Sequence, residues 1–348
     1  MERRIASLDG VRAVAVALVF AWHLDFQAKL PFIWRIDYGN LGVRIFFVIS
    51  GFLITSLLLA EEDRTGKIDI PDFYIRRIFR IAPAYYLFLL VMAVLLPTGW
   101  LLEHKDDFWP SVAFYSDYKT PTDALGHTWS LSVEEQFYLL WPGAMVLLGR
   151  RRALYACVAL LVIAPTFRAL VDLSVWPEKA MRGFECVSDP LACGCILACA
   201  RERLWNNSLY RRLVSSRYVA LIPLATLLFL AIVAGRVPVV YDAIGIPILN
   251  LGVVLMLDRY MRFPDTTWTG RWLNWAPIAW IGTISYSLYL WQEPMTSLTV
   301  QVPVIVKLLG ALALAIASRY WIELPFLALR RRLLGRPPRL VASDSPAG

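Results

Sequence analysis

The chain has 348 residues, 58% of them hydrophobic and 18% charged, with a mean hydropathy of +0.55. A soluble chain of this length is about 45–50% apolar and 25% charged, so these values exclude a water-soluble globular enzyme. The net charge of +8 would suit a nucleic-acid partner, but the placement of the basic residues argues otherwise.

About ten stretches are apolar enough to read as transmembrane helices. They lie near 8–27, 40–60, 81–97, 129–149, 153–171, 186–200, 218–235, 239–257, 278–298 and 303–322. The expected fold class is an all-α polytopic membrane protein. Segment 108–118 is apolar but too short to span, and reads as an interfacial or re-entrant piece. The connections alternate in charge. One set gathers Arg3 and Arg4, then Arg76, Arg77 and Arg80, then Arg150, Arg151 and Arg152, then Arg211 and Arg212, and finally Arg330, Arg331 and Arg332. The other set carries only scattered cations such as Lys29, Lys105, Lys119 and Lys179. The positive-inside rule then places both termini in the cytoplasm. The basic balance therefore reports topology in a lipid bilayer, with no nucleic acid implied.

The first stretch, LDGVRAVAVALVFAWHL, has two polar exceptions, Arg12 and His23. They are eleven residues apart, which leaves about 20° between them after whole turns and roughly 16 Å along the axis. Either they line a wet interior, or Arg12 snorkels to one headgroup layer while His23 marks the other. The basic start followed by an apolar run resembles a signal peptide. No small-residue cleavage pattern follows, so the run reads as a retained span.

The second stretch carries Arg44 at its outer end and Ser50-Gly51 near its middle, where a missing Cβ permits close helix approach. In the loop that follows, Arg76 and Arg80 share a helix face, as do Arg77 and Arg80. Such a cluster serves topology or lipid headgroups, and it is also what a phosphate-bearing ligand needs. In GHTWSLSVEEQFYLLWP, residues 126–142, Ser132 and Glu135 fit a capping box. Glu134 is not explained that way. It shares a face with Ser130 and Tyr138 and enters the membrane, which makes it a functional candidate.

The spans between 153 and 257 are mostly apolar, with Arg168, Asp172, Glu185 and Asp189 near their outer ends. The five cysteines, among them Cys195 and Cys199, lie in or beside apolar runs without nearby histidine or carboxylate ligands. They read as packing residues, with no metal site. In ISYSLYLWQEP, residues 284–294, Ser285, Tyr289 and Gln292 share one face, and Tyr286, Tyr289 and Glu293 another. Further on, Arg319 and Glu323 are spaced to pair. Residues 335–348, GRPPRLVASDSPAG, read as a disordered cytoplasmic tail after a membrane domain of 1–334.

In order along the chain, LDGVRAVAVALVFAWH, GVRIFFVISGFLIT, FYIRRIFRIAP, HTWSLSVEEQFYLLWP, ISYSLYLWQEP and RYWIELPF resemble the membrane-bound acyltransferase 3 family, which includes O-antigen and other O-acetylases. The resemblance implies ten spans in a bacterial plasma (inner) membrane. It also implies transfer of an acyl group, usually acetyl, from cytoplasmic acyl-CoA to a hydroxyl of a glycan or other acceptor outside. No bound cofactor is implied, because acetyl-CoA is the donor substrate.

The family's arginine–histidine motif falls on Arg12 and His23, its R-x-x-R on Arg77 and Arg80, and its W-S-L-x-x-E on Trp129, Ser130 and Glu134. The expected roles follow from these matches. His23 is the general base, with Glu134 orienting it, and Arg12, Arg76, Arg77 and Arg80 hold the donor. His127, Trp129, Ser130, Ser50, Tyr289, Gln292 and Glu293 position the acceptor or support the site. A transient acyl-histidine is the other chemical route. Two positions depart from the pattern: many members carry an acid at Arg44 and a histidine at Gln292. Some relatives also append a soluble esterase-like domain. Two alternatives come from other classes: a proton-coupled transporter with His23 and Glu134 as its relay, and an inactive membrane scaffold.

Overall fold

The computed structural model describes residues 6–24, 37–101, 108–119, 124–175, 181–233, 237–299 and 302–334. These residues form helices and turns, with one isolated β-bridge between Leu101 and Leu298. The ten principal helices are α1 (Ala6–His23), α2 (Tyr38–Thr65), α3 (Ile70–Thr98), α4 (Thr128–Asp172), α5 (Asp189–Asn206), α6 (Ser208–Ser215), α7 (Arg217–Ile232), α8 (Pro238–Arg262), α9 (Ala276–Thr296) and α10 (Val304–Leu333). Five of them, α2, α3, α4, α8 and α10, are long and apolar enough to cross a membrane. The bent pair α6 and α7, 69° apart, makes a sixth if it counts as one span.

Local signals set the ends. Asp69 caps α3 by accepting from the Asp72 amide at 3.0 Å, and a proline follows in the first turn. Gly66 ends α2 in the left-handed conformation. Within α4, Gly149 sits at φ 71° and ψ 161°, which breaks the helix between the apolar stretches 129–149 and 153–171.

The helices divide into interior and perimeter. In α2, 72% of the apolar window is buried, against 28% in α3 and 22% in α4 and α10. Leu90, Val94, Leu147 and Val162 point outward and are 63%, 65%, 84% and 66% exposed. Large apolar side chains on this scale suit hydrocarbon as solvent, where a helix satisfies its own backbone.

The interior helix α2 packs on α5 and α1, α1 packs on α9, and α9 packs on α10. The α2–α5 crossing is close because both contact points are glycine. A Cβ on Gly51 would lie 2.0 Å from the Leu191 carbonyl oxygen, and one on Gly194 would lie 2.1 Å from that of Val48. The Cys195 thiol faces the Gly51 carbonyl oxygen at 3.7 Å in the same crossing.

Residues 108–118 form two short helical turns, Phe108–Val112 and Ser116–Tyr118, laid against α3 and α4. Tyr85 of α3 donates to the Ser111 carbonyl at 2.8 Å and stacks on Phe114. The tail, 335–348, lies outside the described residues.

Several polar residues of the middle spans are structural. Arg168 reaches both carboxylate oxygens of Asp189 at 2.9 Å, and it donates to the carbonyls of Asp242 and Cys186. Arg44 donates to Asn40 at 2.8 Å and to Asn250 at 3.3 Å, and Asn250 donates to Asp189 at 2.8 Å. The arginine that departs from the family pattern is thus part of a buried network joining α2, α4, α5 and α8.

Asp189→Ala leaves two buried guanidiniums without their carboxylate, and breaking a buried pair of this kind costs about 3–5 kcal/mol. The variant is expected to unfold at a clearly lower temperature in detergent. A melting temperature equal to wild type would remove the network from the stability account.

Candidate functional site

A cavity of about 110 Å³ lies between α1, α2, α3, α4 and α9. Helical spacing builds its polar wall. Ser130, Glu134 and Tyr138 recur every four residues on α4, Ser285 and Tyr289 do so on α9, and Arg77 and Arg80 are three apart on α3. Arg12 of α1 and Ser50 of α2 complete it.

Within the cavity, Ser50 donates to Glu134 Oε1 at 2.5 Å, and Tyr138 donates to Ser50 at 3.0 Å. The Arg77 guanidinium lies over the Tyr138 ring at 4.8 Å and over Phe73 at 5.7 Å. Arg80 Nη1 donates to Glu323 Oε2 at 3.2 Å. Arg12 faces Asp9 at 3.8 Å. Part of the cavity wall is therefore cationic, and the rest is lined by hydroxyls, carboxylates and apolar side chains.

Arg76 does not share this wall. Its guanidinium is taken by Glu61 at 2.8 Å and by Asp72.

A second cluster lies beside the C-terminal ends of α1 and α9. His23 Nδ1 sits 2.9 Å from the Val19 carbonyl oxygen, and His23 Nε2 is 3.4 Å from Glu293 Oε1. The other carboxylate oxygen of Glu293 accepts from the His127 backbone N–H at 2.5 Å and meets His127 Nδ1 as well. Glu293 is thus seated between two histidines. Tyr289 joins this cluster to the cavity. It lines the cavity, donates to the His127 carbonyl at 3.2 Å and shares a 2.5 Å hydrogen bond with Ser130.

The chemistry of the arrangement follows from its hydrogen bonds. A carbonyl oxygen only accepts, so the Val19 contact assigns a proton to His23 Nδ1. Nε2 is then the ring nitrogen that faces Glu293. A proton taken up at Nε2 lies opposite the Glu293 carboxylate. Imidazole is the side chain that exchanges a proton near neutral pH.

Glu134, expected beside His23, is engaged by Ser50, and the carboxylate facing His23 is that of Glu293. Trp129 packs edge-on to Phe47 and lies under the Arg182 guanidinium at 5.4 Å. Gln292 is fully buried, with neither amide atom hydrogen-bonded among the described residues.

The capping box expected at Ser132 and Glu135 does not form. The helix begins four residues earlier, at Thr128; Ser132 donates to the Thr128 carbonyl and accepts from the Ser116 amide. Glu135 is free of that duty and lines the cavity. Next to it, Gln136 Nε2 donates to Asp117 at 3.0 Å, and burial pushes the Asp117 carboxyl up to about 7. Tyr286 and Tyr138 also line the cavity. Both share the helix faces that the sequence already grouped with Glu134 and Tyr289.

The model of a family described as an acyltransferase domain matches residues 5–325. A Bacillus subtilis (strain 168) protein, YrhL, provisionally named as a peptidoglycan O-acetyltransferase, is 30% identical over 93% of this chain and 55% of its own length. The peptidoglycan O-acetyltransferase OatA of Listeria monocytogenes is 27% identical over 86% of this chain and 51% of its own. The O-acetyltransferase OatA of Staphylococcus aureus (strain NCTC 8325 / PS 47) is 29% identical over 93% and 57%. The chain spans about half the length of these relatives. No solved structure matches it.

Proposed function

Because the chain belongs to the acyltransferase 3 family, we propose that it is an integral membrane O-acyltransferase, moving an acetyl group from acyl-CoA on the cytoplasmic side to a hydroxyl of a glycan on the outer side. The observation that carries this reading is the Glu293 carboxylate seated between His23 and His127, roughly 16 Å along α1 from the arginine-lined cavity wall. That separation suits a donor whose phosphates stay at that wall while its thioester reaches inward. The acceptor class rests on the relatives named for peptidoglycan. We place the chain in the bacterial plasma membrane with ten spans and both termini cytoplasmic. The alternation of basic connections supports this, as does the fall of the described part of each apolar stretch on helices.

In the proposed reaction the acceptor hydroxyl gives its proton to His23 Nε2 as its oxygen attacks the thioester carbonyl. Glu293 stabilises the imidazolium that forms. The C–S bond then breaks, the proton passes to the departing thiolate, and CoA leaves as its thiol. The products are a glycan ester and free CoA. Arg77 and Arg80 hold the donor phosphates, because a guanidinium binds phosphate in a bidentate way. Arg12 lines the path of the pantetheine arm.

The donor half is tested by kinetics in membranes. Arg77→Ala and Arg80→Ala are each expected to raise KM for acetyl-CoA about tenfold, since a hydrogen bond to a charged group is worth about 1.5–3 kcal/mol. An unchanged KM in both variants would remove these arginines from the donor site.

A further inference from the structure

One buried carboxylate behind the cavity wall, bonded to Arg80, has no part in this reaction. Glu323 is 1% exposed and closes the π-helical turn Arg319–Glu323 within α10. Its Oε2 accepts from Arg319 at 2.6 Å and from Arg80 at 3.2 Å, and its Oε1 accepts from Ser287 of α9 at 2.5 Å. The Arg80 side chain is 32% exposed and lines the cavity.

We propose that Glu323 is a positioning residue for the donor: held by Ser287 and Arg319, it fixes Arg80 at the cavity wall in the orientation that receives the phosphates of acyl-CoA. The proposal rests on the donor reading above.

Two physical points support it. An unrestrained arginine carries about 2 kcal/mol of rotamer entropy, and anchoring one of its nitrogens removes part of that loss from the binding step. Charge count is the second point. A one-to-one pair with a carboxylate would neutralise Arg80. Here two guanidiniums share one carboxylate, so the trio keeps a positive charge for an anion. Arg80 engages Glu323 through Nη1 alone among the described residues, which leaves the rest of its fork for phosphate.

A purely structural bolt between α3, α9 and α10 would show the same contacts, so the test must separate the two. Glu323→Gln keeps the size of the side chain and removes its charge. Transfer is measured in membranes with two donors: acetyl-CoA, and S-acetylpantetheine, which has the same thioester arm and no phosphates. The expected result for Glu323→Gln is a KM for acetyl-CoA about tenfold higher, kcat within about twofold of wild type, and an unchanged rate with S-acetylpantetheine.

Ser287→Ala removes one anchor of Glu323 and leaves its charge in place. It carries the same test through a milder change, with about a threefold rise in KM for acetyl-CoA alone. Equal losses with both donors, or an unchanged KM for acetyl-CoA, would overturn the positioning role while leaving the donor reading intact. If the wild-type chain used the two donors with equal kcat/KM, the donor reading itself would fail, and this role with it.

Discussion

His23→Ala is expected to lower acyl transfer by about 10²–10⁴-fold, the range for losing a positioned general base. The reason lies in how the ring is held. The Val19 carbonyl accepts from Nδ1 at 2.9 Å, which leaves Nε2 as the nitrogen for the proposed proton transfer from the acceptor hydroxyl. Alanine removes the proposed base and its contact with Glu293 together. His23 stands in the last turn of α1 and is only partly buried, so the helix survives the change. Normal membrane insertion and thermal stability, with transfer lost, is the expected combination. His23→Gln retains a hydrogen-bonding side chain of similar reach and cannot accept the proton, so it is expected to fail as well. Wild-type rates in either variant would move the base elsewhere.

Glu293→Gln is expected to lower kcat by about 10–100-fold, corresponding to the loss of a charge-assisted contact worth about 1.5–3 kcal/mol. The amide keeps the shape of the carboxylate and loses the charge that faces the imidazolium. Its oxygen can still accept from the His127 N–H, so the charge facing His23 is the main thing lost. The matching change at the carboxylate the sequence favoured separates the two acids. Glu134→Gln acts on the Ser50 and Tyr138 chain inside the cavity, so its effect is expected mainly in KM for the donor. A larger kcat loss for Glu134→Gln than for Glu293→Gln would transfer the supporting role to Glu134.

Much of the fold was legible in the sequence, because hydropathy and charge act over whole spans. The described part of each apolar stretch falls on a helix, and Gly149 breaks α4 between two of them, while five helices, or six with the bent pair, are long and apolar enough to cross a membrane. The ends were less legible. The chain 70–80 belongs to α3, though its Asp72, Arg76, Arg77 and Arg80 carry no membrane signal, since charged residues extend a helix readily beyond the hydrocarbon.

At the site, periodicity identified Arg12, Arg77, Arg80, Ser130, Glu134 and Tyr289, which line one cavity. The carboxylate partner of His23 needed depth as well as face. Glu134 lies seven residues past His127, roughly 10 Å deeper along α4. Glu293 stands near the end of α9, level with the last turn of α1. Counting the helical rise from each outer end would have favoured Glu293. Nothing in the sequence marked Glu323 as the neighbour of Arg80, because their 243-residue separation closes only when α3 and α10 pack.

The most direct measurement of the central claim follows radiolabelled acetyl-CoA in membranes carrying the wild-type chain or His23→Ala, with a peptidoglycan extract as acceptor. The account predicts that label enters an alkali-labile ester on the glycan with wild type and stays at background with the variant. Equal labelling by the two chains would contradict it.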